Sequence, residues 1–271
     1  MRPKMTTKKP TIVLIPGSFL HSSHYTPILQ PLIDAGLSVH VLDPPCYYAK
    51  KPGPPPTMYD DASFVANFVE GLADKGEEVV IVSHSYGGTP ASEAVKGLSV
   101  TERRESGKEG GVVRMAFVTA VVPKVGGGLA DTMGVVEVPM EADEDGWLLH
   151  TDPSVSAALC FNSLPPAEGL AHFQAAIGRH SGLAFGGNAS TLRYPGYKDV
   201  PVSWFLCEDD RCVLPAVQET AIKDIEESWK GTEREGMKVD VTRVACDHFP
   251  THSAQSELTK WFQGLVEKGG Q

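Results

Sequence analysis

Short apolar runs rich in β-branched residues alternate with longer amphipathic segments along most of the chain. Such runs, when joined by helices, are typical of parallel strands that are buried on both faces. Six runs predict strands, the last being less apolar and suited to a sheet edge: 12–15, 38–42, 78–82, 112–119, 202–206 and 238–244. Five amphipathic segments predict helices: 24–35, 58–75, 87–97, 215–229 and 253–268. The pattern therefore predicts an α/β protein with a mostly parallel sheet of about six strands flanked by helices.

Two stretches interrupt this alternation. Residues 99–111 are polar and contain glycine, which predicts a solvent-exposed loop. Residues 124–199 lack the strand rhythm but hold too many aromatic and apolar side chains for a disordered linker. We therefore predict a helical cap over 124–199, inserted into a core formed by 11–123 and 200–271. Residues 1–10 are polar and basic and are predicted to be a flexible N-terminus.

The composition narrows the classes of protein and partner. The chain has 271 residues, of which 41% are hydrophobic and 21% charged, as in an ordinary globular domain. Its net charge of −10 and its short, scattered basic runs argue against a nucleic-acid partner. No segment has the length of a membrane span, and the apolar run at 11–15 is too short for an export signal. We therefore expect a cytoplasmic protein with no membrane partner.

The cysteines and histidines offer little sign of a metal or disulfide site. The five cysteines are odd in number and widely spaced, which suits reduced thiols better than a disulfide framework or a zinc site. His248 and His252 have the spacing of helical metal ligands, but Pro250 separates them and no Glu or Asp completes the set. The sequence thus predicts neither a metal nor another cofactor. It leaves the oligomeric state open, a homodimer being one alternative.

The strand predicted at 78–82 runs directly into Ser83-His84-Ser85-Tyr86-Gly87-Gly88 and then into a helix. This order is the context of a nucleophile elbow, in which a sharp turn exposes a serine at the end of a strand. The turn needs small residues two before and two after the serine, and Ser83 and Gly87 meet this need, although glycine is usual at the first position. Ser85 is therefore the candidate nucleophile. The alternative is that Ser83 and Ser85 only cap the helix.

A serine nucleophile needs a base within hydrogen-bond reach and a carboxylate that fixes the tautomer of that base. The strand at 202–206 is followed by Glu208, Asp209 and Asp210, which would lie at the carboxyl edge of the sheet. We choose Asp210 as the acid because a proline five residues later suits the start of a helix. Asp209 and, less well, Glu208 remain alternatives. His248 follows the last strand at the same edge and is the candidate base.

An acyl-transfer site also needs donors for the developing oxyanion and a pocket for the substrate. The candidate donors are the backbone N–H groups of Tyr86 and of Ser18, which lies in the loop after the first strand. An ordinary Pro-Gly turn would explain that loop equally well. The aromatic side chains of the cap predict a mostly apolar pocket for a small ester. The residues expected to bind substrate are Gly17, Phe19, His24, Trp147, Phe161 and Phe249. For His24 the alternative is a polar residue at the entry of a helix.

These motifs resemble those of the α/β-hydrolase superfamily, and more closely its small branch of plant methyl esterases, hydroxynitrile lyases and fungal and bacterial hydrolases. The resemblance covers most of the chain. It is carried by Ile15-Pro16-Gly17-Ser18-Phe19, Leu42-Asp43-Pro44, Val82 to Gly88, Cys207 to Arg211 with Pro215, and Asp247-His248. It implies an α/β-hydrolase fold whose cap bears the pocket, and its Asp-X-X-X-X-Pro stretch supports Asp210 as the acid. The implied activity is hydrolysis of a small carboxylic ester, lactone or thioester through an acyl-enzyme on Ser85.

The same resemblance implies rival functions. Hydroxynitrile lyases of this branch have a Thr in the oxyanion loop and a Lys directly after the histidine, where this chain has Gly17 and Phe249. Without a Lys to hold a cyanide leaving group, the esterase interpretation is favoured. A ligand receptor that retains the triad and a non-hydrolytic lyase or isomerase of secondary metabolism remain alternatives.

Overall fold

A computed structural model describes residues 9–48, 53–134 and 137–270. Most of the predicted flexible N-terminus, residues 1–8, therefore lies outside the described residues. The strands are β1 (Thr11–Ile15), β2 (Val39–Val41), β3 (Tyr47–Tyr48), β4 (Glu78–His84), β5 (Gly111–Val118), β6 (Met140–Ala142), β7 (Trp147–His150), β8 (Arg179–Ser181), β9 (Val202–Cys207) and β10 (Asp240–Val244). The helices are α1 (Thr26–Asp34), α2 (Met58–Ala73), α3 (Gly88–Ala94), α4 (Val100–Glu105), α5 (Leu129–Met133), α6 (Pro153–Cys160), α7 (Pro166–Ala176), α8 (Pro215–Ser228), α9 (Pro250–Ser253) and α10 (Gln255–Lys268).

The core is a six-stranded sheet in the order β10-β9-β5-β4-β1-β2, and every pairing within it is parallel. All six predicted strands are present, so the predicted fold class is confirmed. Because the strands are parallel, the loops that follow β1, β4, β9 and β10 all emerge at one edge of the sheet. That edge carries every residue predicted to do chemistry.

In each buried strand, alternate residues belong to two separate hydrophobic clusters. In β4, Val79 and Ile81 belong to the cluster that includes side chains of α2, α3 and α8, whereas Val80 and Val82 belong to the cluster that includes side chains of α1 and α10. Both faces are covered by helices, which explains why β4 is apolar at successive positions rather than at every second one. The sheet is therefore a rigid base for the loops at its carboxyl edge.

The prediction of an exposed polar loop over residues 99–111 is wrong in part. Helix α4 begins there, because Ser99 and Glu102 form a capping box that satisfies the first amide groups. Arg103 is only 3% exposed, and its guanidinium donates to Asp74 at 2.7 Å and to the Gly110 carbonyl at 3.2 Å. The segment is thus anchored to the core by a buried arginine.

The predicted cap, hereafter the inserted segment (residues 124–199), holds helices α5, α6 and α7. It also contributes strands β6, β7 and β8, which join β3 of the core in an antiparallel sheet that the sequence did not predict. These strands have three or four residues each, too few for an alternating pattern to be recognised. The β3–β8 pairing ties the inserted segment to the loop that follows β2.

No helix in the described part of the chain is long and apolar enough to span a membrane. Within the same residues, no group of three or more His, Cys, Asp or Glu side chains is arranged to hold a metal ion. All five cysteines are free thiols.

Candidate active site

Ser85 lies at the sharp turn between β4 and α3. Its φ is +52°, in the left-handed region that a serine adopts only at a cost, and it is 7% exposed. The turn is this tight because the backbone of the following residues lies against β1 and β5. A Cβ atom on Gly87 would lie 2.5 Å from the Pro16 carbonyl oxygen, and one on Gly88 would lie 2.7 Å from that of Val121. Glycine is therefore required at both positions.

Two hydrogen bonds connect the three residues predicted to form a catalytic triad. The His248 Nε2 atom lies 3.0 Å from Ser85 Oγ, and its Nδ1 atom lies 2.7 Å from Asp210 Oδ2. Asp210 and His248 are 2% and 3% exposed. The imidazole is thus positioned between a hydroxyl and a buried carboxylate, as base catalysis by histidine requires.

The structure separates Asp210 from its two acidic neighbours. Asp210 is buried and its Oδ1 atom accepts the N–H groups of Cys212 at 2.7 Å and Val213 at 2.9 Å. Its Oδ2 atom accepts the Thr119 hydroxyl in addition to the His248 ring. Glu208 and Asp209 are exposed. Of the three candidates, Asp210 is the one whose carboxylate reaches His248.

The charge environment of His248 favours its protonated form. Burial lowers its pKa, but the Asp210 carboxylate and the neighbouring Cys212 sulfur outweigh burial and hold the pKa well above the ordinary value. The pKa of the Cys212 thiol is shifted as well. The Cys160 thiol and the charge on His248 bring the pKa of Cys212 below its ordinary value, although burial opposes them. Cys212 is therefore part of the electrostatics of the candidate base.

A second network connects Gly17 to the backbone of His248 through Tyr25 and His84. The His84 Nε2–H group donates to the His248 carbonyl oxygen at 2.8 Å, so that His84 Nδ1 must be an acceptor. The Tyr25 hydroxyl donates to this Nδ1 at 2.8 Å and itself accepts the Gly17 N–H at 3.0 Å. Tyr25 and His84 are each 2% exposed. The network fixes the loop after β1 relative to the histidine.

The candidate oxyanion donors lie on the two sides of Ser85. Tyr86 follows it in the elbow, and Ser18 lies in the loop after β1, whose Gly17 packs so closely that a Cβ atom there would be 3.1 Å from Ser85 Cβ. Among the described residues, neither the Ser18 N–H nor the Tyr86 N–H has a hydrogen-bond partner. Phe19, next in the loop, has φ +65°. Both amides are therefore available to a substrate atom.

One cavity of about 250 Å³ reaches Ser85 and His248 from the side of the inserted segment. Of the residues expected to bind substrate, Gly17, Phe19 and Phe249 line it, together with Ser18. Most of its remaining wall is apolar: Leu20, Val121, Leu129, Ala130, Met133, Val138, Met140, Phe173, Ile177 and Phe185.

Three of the predicted substrate-binding residues do not line this cavity. Phe161 is stacked on Phe249 with ring centroids 4.2 Å apart, and His24 packs on Phe249 at 4.9 Å. Trp147 is fully buried. Phe161 and His24 thus support the cavity wall from behind.

Sequence reasoning missed Tyr25, Thr119 and Cys212. Thr119 directly follows β5 and Cys212 lies in the loop after β9, so their position at the carboxyl edge of the sheet was a usable signal. Tyr25 had no such signal, since it ends a short 3₁₀ turn before α1.

Comparison with known proteins supports this architecture. Residues 12–260 match the model of a family described as the alpha/beta hydrolase family. The chain is 31% identical over 250 residues to probable hydrolase R7 of Phoma sp., covering 92% of this chain and 95% of that protein. The structure of a pyrethroid hydrolase from Sphingobium faniae superposes with a TM-score of 0.68 at 18% identity, covering 96% of this chain and 98% of that one. That of polyneuridine aldehyde esterase gives a TM-score of 0.65 at 18% identity, with 95% and 99% covered. The chain belongs to the alpha/beta hydrolase family.

Proposed function

We propose that the protein is a serine hydrolase that cleaves a small carboxylic ester, or a related lactone or thioester, through an acyl-enzyme on Ser85. The observation that carries this proposal is the pair of hydrogen bonds that connects Ser85 through His248 to Asp210. Ser85 and His248 both line a cavity whose wall is mostly apolar. The hydrolase and esterase relatives support the same reaction class.

In this mechanism Ser85 Oγ attacks the ester carbonyl carbon while His248 Nε2 takes the hydroxyl proton. The N–H groups of Ser18 and Tyr86 bind the oxyanion of the tetrahedral intermediate. The intermediate collapses, and the alcohol leaves with the proton from His248. A water molecule then gives a proton to His248 and attacks the acyl-enzyme, which releases the acid and restores Ser85.

The cavity favours hydrolysis over cyanide-releasing cleavage. Such a lyase must stabilise an anionic leaving group, and the residue after His248 is the apolar Phe249. No Lys or Arg is among the described residues that line the cavity. Formation of an acyl-enzyme needs no such cation, because the negative charge of the tetrahedral intermediate develops on the carbonyl oxygen, where the oxyanion donors bind it.

The test is covalent labelling with a fluorophosphonate probe, followed by peptide mass mapping. We expect one adduct, on the peptide that contains Ser85, and none in the Ser85→Ala variant. Turnover of p-nitrophenyl esters, measured in the same preparation, should fall as labelling proceeds. An adduct on a different serine, or none on folded protein, would refute the proposal; ligand binding without labelling would favour a receptor.

Replacing Cys212 by alanine is expected to move the pH profile to lower pH. The base must be neutral, so activity rises as pH passes upward through the pKa of His248. The Cys212 sulfur raises that pKa, and its removal lowers it, so the acid limb of kcat/KM shifts to lower pH. The measurement is kcat/KM between pH 5 and pH 9, beside Cys46→Ala as a buried-thiol control. An unshifted limb would contradict this assignment.

Replacing Tyr25 by phenylalanine is expected to lower kcat about tenfold with little change in KM. The loss of its hydroxyl leaves the Gly17 N–H and His84 Nδ1 without a partner and loosens the loop that carries Ser18. Tyr197→Phe is the matched control, since the Tyr197 hydroxyl is also buried and donates to the Pro123 carbonyl at 3.1 Å. Steady-state kinetics and thermal unfolding of both variants separate a positioning effect from general destabilisation. Equal kcat values in the two variants would argue against a positioning role.

A further inference from the structure

His150, the last residue of β7, differs from the rest of the wall that the inserted segment contributes to the cavity. That wall is otherwise apolar in the described residues, apart from the Cys160 thiol. The His150 Nε2 atom is buried and has no hydrogen-bond partner among the described residues. A buried polar atom without a partner is costly, so its persistence in an apolar wall calls for an explanation.

The hydrogen bond on the other side of the ring determines what His150 offers. His150 Nδ1 lies 2.9 Å from Ser156 Oγ, and Ser156 is fully buried in α6. Among the described residues, His150 Nδ1 is the hydrogen-bond partner of the Ser156 hydroxyl. The proton of that hydroxyl needs an acceptor. The hydroxyl therefore donates to Nδ1, and the ring proton is on Nε2. His150 thus carries an N–H donor without a partner, on a ring that lines the cavity.

Aromatic side chains contact this ring on two sides. Phe19 packs against it at a centroid distance of 4.5 Å, and Phe173 packs edge-on at 5.0 Å. Both phenylalanines line the same cavity. Burial also lowers the pKa of His150 to about 4, so that the ring is neutral near pH 7. A neutral donor suits an uncharged acceptor better than an anion.

We propose that His150 is the specificity-determining residue of the cavity, and that its Nε2–H group binds an uncharged oxygen acceptor on an otherwise apolar ester. The acceptor is an ether or carbonyl oxygen separate from the ester group that reacts with Ser85. This inference rests on the proposed function, because it assigns the substrate class of that reaction. An apolar wall with one placed donor rejects a substrate that lacks the acceptor, since its own N–H group then stays unpaired.

The test compares p-nitrophenyl hexanoate with analogues in which an ether oxygen replaces one methylene group of the acyl chain. A second series places the oxygen in the alcohol part of alkyl hexanoates. For at least one position, we expect the wild-type protein to prefer the oxygen-containing ester about tenfold more strongly than the His150→Phe variant does, as kcat/KM. The comparison between proteins removes the intrinsic reactivity of each ester.

Two further variants distinguish recognition from disturbed packing. His150→Gln keeps an N–H donor and should retain part of the preference. His180→Phe is the matched control, because His180 is fully buried and its Nε2 atom also lacks a partner, but it does not line the cavity. This control should keep the wild-type preference. If no oxygen position in either series gives a preference that depends on His150, the inference is wrong.

A binding experiment separates this inference from the proposed function. The affinity of the Ser85→Ala protein for the same esters is measured by calorimetry, with and without His150→Phe. A preference for the oxygen-containing ester that His150→Phe removes would support recognition even if no ester is hydrolysed. If neither hydrolysis nor binding distinguishes the oxygen-containing esters from hexanoate esters, the proposed reaction is unaffected but the role of His150 is refuted.

Discussion

The Ser85→Ala variant is expected to lose about 10⁶-fold in kcat for ester hydrolysis. Ser85 Oγ is the atom that would form the acyl-enzyme. Among the described residues, no other hydroxyl is hydrogen-bonded to His248 Nε2. Residual turnover would come from the oxyanion donors and from substrate binding alone. The measurement is pre-steady-state kinetics with p-nitrophenyl esters in excess over the enzyme, in which accumulation of an acyl-enzyme gives a burst of p-nitrophenol.

The unfolding temperature of two Ser85 variants provides the control for this loss. Ser85→Ala keeps a side chain at φ +52° and should unfold close to the wild-type temperature. Ser85→Gly should be equally inactive but more stable, by about 1–2 kcal/mol, because glycine adopts this conformation without strain. A Ser85→Ala protein that retains wild-type turnover would show that another group forms the covalent bond.

Replacing Asp210 by asparagine is expected to lower kcat/KM by about 10⁴-fold. The side-chain oxygen that faces Cys212 and Val213 accepts two backbone N–H groups, so this position must remain an oxygen. The amide NH₂ is therefore forced towards His248 Nδ1. It would donate where the ring also donates, and the ring would shift to the tautomer that cannot accept the Ser85 proton.

Asp209→Asn is the matched control, since the Asp209 side chain is exposed and belongs to the same loop. It should leave kcat/KM within about twofold, as most exposed substitutions do. The pH profile adds a second measurement: without the Asp210 carboxylate the pKa of His248 falls, and any residual activity should extend to lower pH. A large loss in Asp209→Asn with little loss in Asp210→Asn would reverse the assignment of the acid.

The strands and the elbow could be predicted because their signals are local. A strand buried on both faces must be apolar at successive positions, and β1, β4, β5 and β9 are read directly from this rule. The elbow depends on the steric size of residues adjacent to Ser85, which the sequence also displays. The short strands β6 to β8 were not predicted. They are stabilised by pairing with other strands, and their own composition gives no strand signal.

The choice among acids and the wall of the pocket depended on contacts between distant parts of the chain. Ser85 and His248 are 163 residues apart, and the sequence could place both at one sheet edge but could not set their 3.0 Å separation. Likewise, the sequence favoured Asp210 over Asp209 only through the position of Pro215, whereas the folded chain turns Asp210 towards His248 and leaves Asp209 exposed.

Phe161 and Phe249 show the same division within the pocket. Both are aromatic residues in plausible positions, but only packing decides that Phe249 faces the cavity and Phe161 lies behind it. Periodicity and steric size thus sufficed to predict the sheet and the sharp turn that carries Ser85. Which polar groups meet followed from the folding of the core, and which side chains line the cavity followed from the packing of the inserted segment on it, because those contacts join residues that no local pattern links.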